Sequence, residues 1–199
     1  MKFNPGDTLD NAHCISLQHE FLRCDDAFKE FAAAATVMIM QGENIRIAYT
    51  AYNAYARFIH HLYEFMVGAF KRDTRNTRKA EPKIIESYLL HHAQRVLTTR
   101  REAILKGTAP SWENNISSFP TTVPLDFASK FRKCRNITLA HVTHERATLN
   151  LSDFYKNYHK YLYMLYYDLR YHWERQSTDF PALQEITKFS VNVMESSQD

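Results

Sequence analysis

The sequence contains few of the residues that interrupt helices or build disulfide frameworks. Its 199 residues include four glycines and six prolines, a composition that does not favour general disorder. The three cysteines, Cys14, Cys24 and Cys134, are odd in number and form no CxxC pair, which argues against a disulfide framework and for a reducing compartment. The longest apolar run, residues 31–40, is about half of what a membrane helix requires. Since the first residues also lack a signal-peptide pattern, we expect a cytoplasmic protein without membrane association.

Signals for several classes of catalytic site are absent as well. The sequence has no Gly-rich phosphate loop, no Walker motif, no nucleophile elbow and no HExxH or ExxH motif. The pairs His60-His61 and His91-His92 are adjacent, so on a helix their side chains point about 100° apart and cannot chelate one ion. We therefore expect no metal and no cofactor. We expect His60 or His61 to border the core or to cap a polar pocket beside Glu64.

Helical periodicity, by contrast, runs through most of the chain. From Ile45 to Phe70 apolar residues recur every three or four positions, which predicts a long helix that begins near 42–43 and fades in the basic run 71–79. The other predicted helices are 10–41 with a break near 24–26, 82–106, 125–146, one capped by Ser152-Asp153, and a short one at 181–195. Strand signals are almost absent. We predict an all-α, up-and-down bundle of four or five long helices in one domain, 1–199.

The stretch FRKCRNITLAHVTHER, residues 131–146, carries an unusual set of polar residues for a packing helix. On a helical wheel one narrow, mostly apolar stripe is formed by Phe127, Phe131, Cys134, Thr138 and Val142. Arg135 and His141 flank this stripe on opposite sides, each about 60° from its centre. Asn136 lies on the far side together with Lys133 and His144. Arg135 and His141 would be about 9 Å apart along the axis, so they could contact a common ligand but could not form a dyad within one chain.

The spacing Arg135-Asn136-x4-His141 resembles the Rx4–6H motif of the HEPN superfamily, in which a polar residue often follows the arginine. The order of long helices, the irregular segment 107–124, the motif helix and a Tyr-rich helix also resembles that family, over roughly 45–175. The resemblance implies a metal-independent endoribonuclease of toxin or phage-defence type. It further implies a homodimer with a composite active site at the interface and RNA ends that carry a 2′,3′-cyclic phosphate.

Chemistry supports the roles that the resemblance gives these residues. A histidine can act as general acid or base near neutral pH, and an arginine can hold a phosphate with two parallel donors. We therefore expect His141 as general acid/base, Arg135 as phosphate ligand and Asn136 as the residue that positions substrate. An antitoxin or regulatory protein is a further expected partner. Related toxins often extend the motif to His-x-Tyr, but this chain has Thr143 at that position, which argues against silencing by tyrosine modification there.

Two other interpretations stay open from sequence alone. The same residues fit an Arg–carboxylate pair and a boundary histidine, or a HEPN-like module that binds RNA or a protein without cleaving. Seven tyrosines in 155–173 and five cations in 71–79 allow base stacking and phosphate contacts. Core packing or a subunit interface is the more common use of such tyrosines, and a solvated helix end is the more common setting of such a basic run.

Overall fold

The computed structural model describes residues 1–42, 44–140, 144–173 and 184–195, and these residues form an all-α structure. The predicted fold class is therefore confirmed. The helices are α1 (Thr8–Gln41), α2 (Ile45–Asp73), α3 (Pro82–Leu105), α4 (Phe127–Arg135), α5 (Glu145–Thr148), α6 (Leu151–Trp173) and α7 (Gln184–Glu195). Within this part of the chain, extended pairing is limited to one isolated bridge between Lys2 and Asn76. No described helix combines the length and hydropathy that a membrane span requires.

Helices α1 and α2 form a long antiparallel hairpin. The side chain of Asn44 caps α2 by accepting a hydrogen bond from the Arg46 amide, and Gly42, with φ of 90°, ends α1 in a backbone conformation that favours glycine. Across the hairpin the ion pairs Glu30–Arg57, Glu20–His61 and Asp10–Arg72 follow one another in antiparallel order. The hairpin thus fixes which residues of α1 face which residues of α2.

The predicted break near 24–26 is wrong, because α1 continues through these residues. Cys24 and Asp25 are both buried. The Asp25 carboxylate accepts a hydrogen bond of 2.5 Å from the Tyr166 hydroxyl and pairs with Lys29 at 2.5 Å. A buried charge is tolerated when it is hydrogen-bonded and paired. The adjacent polar residues Asp25 and Asp26 therefore do not mark a helix end.

The core lies where α1, α2, α3, α4 and α6 meet. Its largest fully buried side chains include Phe21, Phe58, Phe65, Phe127, Phe131 and Tyr166. The stripe predicted on the motif helix is confirmed by the burial of Phe127, Phe131, Cys134 and Thr138, while Val142 lies outside the described residues. The sequence predicts a dimer interface at the stripe Phe127/Phe131/Val142 or its rim; since Phe127 and Phe131 are buried within the chain itself, the rim stays the prediction.

The motif helix is shorter than the predicted span 125–146. The α-helix ends at Arg135 and is followed by a π-helical turn, Asn136–Ala140. The Thr138 hydroxyl donates to the Cys134 carbonyl oxygen at 2.9 Å, and Arg146 Nε donates to the Ile137 carbonyl oxygen at 3.1 Å. π-helical turns occur frequently at functional sites. This one begins directly after the arginine that the sequence singles out.

The last two predicted helices are both found among the described residues. Helix α6 begins at Leu151, and Asn150 rather than Ser152-Asp153 caps it, because Asn150 Oδ1 accepts a hydrogen bond of 3.0 Å from the Asp153 amide. Helix α7 is described over Gln184–Glu195, and residues 181–183 of the predicted span lie outside the described residues. The connection before α4 contains two 3₁₀ turns, Ser111–Glu113 and Ile116–Ser118. It is fastened to α3 by Arg100, which pairs with Glu113.

Candidate functional site

Arg135 stands at the C-terminal end of α4, where the helix meets α2. Its guanidinium donates through Nη2 to the Glu64 carboxylate and through Nη1 to Asn136 Oδ1 at 2.8 Å. The guanidinium carbon lies 5.5 Å from the centre of the Tyr63 ring, within the range of a cation–π contact. The Arg135 side chain is 23% exposed and that of Glu64 is 33% exposed. Arg135 is therefore held in one orientation by three neighbours and still reaches solvent.

Asn136 lines a groove together with Lys133, as the helical wheel predicts, and its amide oxygen also accepts a hydrogen bond from the neighbouring Arg135. Asn136 is half-buried, and its amide oxygen is engaged by the arginine. The structure thus brings together two of the three predicted site residues.

His141 lies outside the described residues, so its role and its position relative to Arg135 stay predictions. The separation of about 9 Å was derived for a regular α-helix. Because α4 ends at Arg135 and the π-helical turn Asn136–Ala140 follows, that arithmetic no longer applies to the segment.

The Arg135 side chain lines an open cleft of about 320 Å³ between α1, α2 and the end of α4. The titratable and charged residues around it are His13, Glu20, Arg23, His60, His61, Glu64 and Arg135. The sequence predicts that His60 or His61 borders the core or caps a polar pocket beside Glu64, and the structure places both histidines in this cleft with Glu64. No sequence signal indicated that α1 supplies the opposite wall.

Most polar groups in this cleft have a partner. His61 Nδ1 lies 2.8 Å from a Glu20 carboxylate oxygen, and His13 Nε2 lies 2.9 Å from the Gly68 carbonyl oxygen. Two buried atoms, His60 Nδ1 and Arg135 Nε, have no hydrogen-bond partner among the described residues. Buried polar atoms without a partner are rare in native proteins and require an explanation such as a functional role. Both belong to the same cleft.

The electrostatic environment of the cleft keeps His60 neutral. Burial, followed by the positive charge of Arg135, lowers the pKa of His60, although Glu64 and Glu20 act in the opposite direction. For Glu20, burial acts to raise the pKa, but the hydrogen bond with His61 and the charge of that residue lower it overall. The cleft therefore contains a neutral imidazole close to a permanent cation and two carboxylates. Such a combination can transfer a proton beside a bound anion.

A second groove, of about 420 Å³, lies on the other side of α4. It is lined by Ser129, Lys130, Arg132, Lys133, Asn136, Ile137 and Glu145. Arg132 is engaged by Glu86 at 2.6 Å, whereas Lys130 and Lys133 are exposed to solvent. Asn136 lines this groove and also binds Arg135, so the groove and the cleft meet at the start of the π-helical turn.

The Tyr-rich segment packs partly inside the chain. Tyr161 and Tyr166 are buried in the core, whereas Tyr155 is 43% exposed and stacks on His159 with ring centres 4.4 Å apart. Core packing therefore accounts for part of this segment. Among the residues that the structure describes, no group of three or more His, Cys, Asp or Glu side chains is arranged to hold a metal ion.

Comparison with known proteins adds no evidence about the function of the cleft. No family model matches the chain, and neither a curated protein nor a solved structure matches it.

Proposed function

We propose that this chain is a metal-independent endoribonuclease that resembles HEPN proteins of toxin or phage-defence type. The observation that carries the proposal is the placement of Arg135. Its guanidinium is oriented by Glu64 and Asn136 at the edge of a cleft that also contains His60 and His61. An arginine prepared in this way can hold a phosphodiester with two parallel donors.

The catalytic roles follow from the chemistry of RNA cleavage without a metal ion. A base takes the proton of the 2′-hydroxyl, a cation stabilises charge on the phosphate and an acid protonates the leaving 5′-oxygen. In our proposal Arg135 stabilises the phosphate, His141 transfers a proton and Asn136 positions the substrate. The exposed side chains of Lys130 and Lys133, in the groove that meets Asn136, would contact neighbouring phosphates.

We further propose that two copies of the chain assemble, as HEPN-type sites are composite. The interface would use the rim of the motif helix, where Leu139 is 41% exposed, since Phe127 and Phe131 are buried in the core. Light scattering at micromolar concentration is expected to give the mass of a dimer. A strict monomer would contradict the composite site.

Cleavage of RNA by the purified protein in EDTA tests the activity. The products are expected to carry 2′,3′-cyclic phosphate ends. Arg135→Ala and His141→Ala should each reduce the rate by about 100-fold or more, because proton transfer typically contributes 10²–10⁴-fold. Asn136→Ala should have a smaller effect. Arg46→Ala, a change at an exposed arginine near the start of α2, is the matched control and should cleave like the wild type.

One observation favours a second function. Glu64 already pairs with Arg135, as expected if the arginine has a structural task in a HEPN-like module that binds RNA or a protein partner. In that case the wild-type protein would bind RNA or a partner without cutting RNA. Cleavage that requires added Mg²⁺ would contradict the proposed mechanism.

A further inference from the structure

We infer that His60 is a further catalytic residue of the proposed site and acts as the general base that removes the proton of the 2′-hydroxyl. The inference rests on the proposed ribonuclease function and assigns the second proton-transfer group that such a reaction requires. His60 is on α2 and lines the same cleft as Arg135 on α4. It would act on the phosphodiester that Arg135 binds.

The hydrogen bonds of the cleft single out His60 from its neighbours. His61 is engaged by Glu20, and His13 is engaged by the backbone carbonyl of Gly68. His60 Nδ1 is buried and has no hydrogen-bond partner among the described residues, so no structural hydrogen bond holds the ring through that atom, and the proton would be taken through Nε2, the other ring nitrogen. Arg135 Nε, in the same cleft, is also without a partner among them. Both side chains line the open cleft, where the guanidinium would complement a phosphate oxygen and the imidazole a ribose hydroxyl.

The charged surroundings of His60 suit a base and not an acid. The groups that face this region are Arg135 from α4, His61 and Glu64 from α2, and His13, Glu20 and Arg23 from α1. Burial and the positive charge of Arg135 lower the pKa of His60, so the imidazole is neutral at pH 7 and can accept a proton. An acid would have to be protonated at that pH, which this environment opposes.

The reaction step is balanced with two histidines. Neutral His60 takes the proton from the 2′-hydroxyl while the 2′-oxygen forms a bond to phosphorus. The bond between phosphorus and the 5′-oxygen breaks, and that oxygen receives a proton from protonated His141. The products are a 2′,3′-cyclic phosphate, a 5′-hydroxyl, protonated His60 and neutral His141. Exchange with water then restores both protonation states.

Two substrates separate a base from an acid. The first is a single-stranded RNA oligonucleotide that the wild type cleaves in EDTA. The second has the same sequence, with sulfur in place of the bridging 5′-oxygen at the cleaved bond. A thiolate leaves without being protonated. Loss of the acid is therefore rescued on the sulfur substrate, whereas loss of the base is not.

For His60→Gln we expect cleavage of the oxygen substrate to fall by about 100-fold or more, with no rescue on the sulfur substrate. His141→Ala should be rescued on it. In the wild type kcat/KM should rise with pH below about 6.5, as His60 loses its proton, and His60→Gln should lack this rise. His91→Gln, at an exposed histidine of α3 outside the cleft, is the control and should match the wild type.

The possible outcomes are distinct. If the wild type cleaves RNA and folded His60→Gln cleaves at the same rate, this inference is wrong and the proposed function stands. Rescue of His60→Gln by the sulfur substrate would show an acid and would overturn the assignment as base. If the wild type does not cleave RNA at all, both proposals fail. Circular dichroism checks that His60→Gln is folded before its cleavage rate is compared with that of the wild type. His60→Asn is a second variant, to be used if His60→Gln does not fold.

Discussion

The buried hydrogen bond between Tyr166 and Asp25 offers a quantitative test of how α1 is fastened to the bundle. The Tyr166 hydroxyl donates to Asp25 Oδ1 at 2.5 Å, and the two residues are 1% and 4% exposed. Burial and the neighbouring Asp25 carboxylate raise the pKa of Tyr166, so the phenol keeps its proton and remains a donor at neutral pH. Helix α1 carries one wall of the cleft, and this bond ties it to α6.

Replacing Tyr166 with Phe removes the donor and keeps the ring. The ring contacts to Phe21 and Phe28, with centres 6.2 and 4.5 Å apart, are retained, so little apolar burial is lost. A hydrogen bond to a charged group contributes about 1.5–3 kcal/mol, and we expect the free energy of unfolding to fall by about 2 kcal/mol. For a chain of this length 1 kcal/mol corresponds to roughly 2–4 °C in Tm. The expected decrease in Tm is therefore about 4–8 °C.

Thermal and urea unfolding, followed by circular dichroism, provide the measurement. Tyr49→Phe is the matched control because Tyr49 is 66% exposed, and its free energy of unfolding should stay within about 0.5 kcal/mol of the wild type. A double-mutant cycle with Asp25→Ala should give a coupling of about 1–2 kcal/mol, since the two changes remove the same bond. A Tm of Tyr166→Phe within 1 °C of the wild type, or additive losses in the cycle, would refute this reasoning.

Three other predictions follow from the core and the cleft. Burial lowers the pKa of His159 to about 4, so between about pH 6.5 and pH 4 this histidine is protonated in the unfolded chain but neutral in the folded chain. The free energy of unfolding should therefore be highest above about pH 6.5 and fall by up to about 3 kcal/mol towards pH 4. His159→Gln should flatten that part of the urea-unfolding profile, and an unchanged profile would contradict the assignment. Phe131→Ala, at a side chain of 0% exposure, should lower the free energy of unfolding by about 3–5 kcal/mol, measured by urea unfolding. Glu64→Gln should lower the KM for RNA in steady-state kinetics, because the carboxylate beside Arg135 repels a bound phosphate; a raised KM would indicate that its charge is needed to orient the arginine.

The local sequence pattern was enough to predict α2 and α3. Apolar residues at every third or fourth position from Ile45 to Phe70 predict α2, and Pro82 with Gly107 predicts the limits of α3 to within two residues. The buried stripe of the motif helix could be identified in the same way up to Thr138. These features are readable because helical geometry links residues three or four positions apart, so the information is local in the chain.

Other features depend on contacts between residues that are far apart in sequence. Asp25 is buried within α1 because Tyr166, 141 residues later, supplies a hydrogen-bond donor. The polar residues Asp25 and Asp26 therefore led to the prediction of a helix break that the structure does not contain. The α-helical part of the motif segment stops at Arg135, where the residue contacts Glu64, 71 residues earlier. No periodic pattern contains these contacts.

The candidate site shows the same division. The spacing of Arg135 and Asn136 identified them as candidates. A polar pocket with His60 or His61 beside Glu64 could also be predicted, since these residues are close neighbours on one helix. Packing of distant helices brings Arg135 next to Glu64 and the two histidines, and it places Glu20 of α1 in the same cleft. The same packing leaves His60 Nδ1 and Arg135 Nε without partners among the described residues. The physical reason is that spacing along a helix fixes which side chains share a face, whereas packing of distant helices decides which face each one meets and which polar atoms lose contact with water.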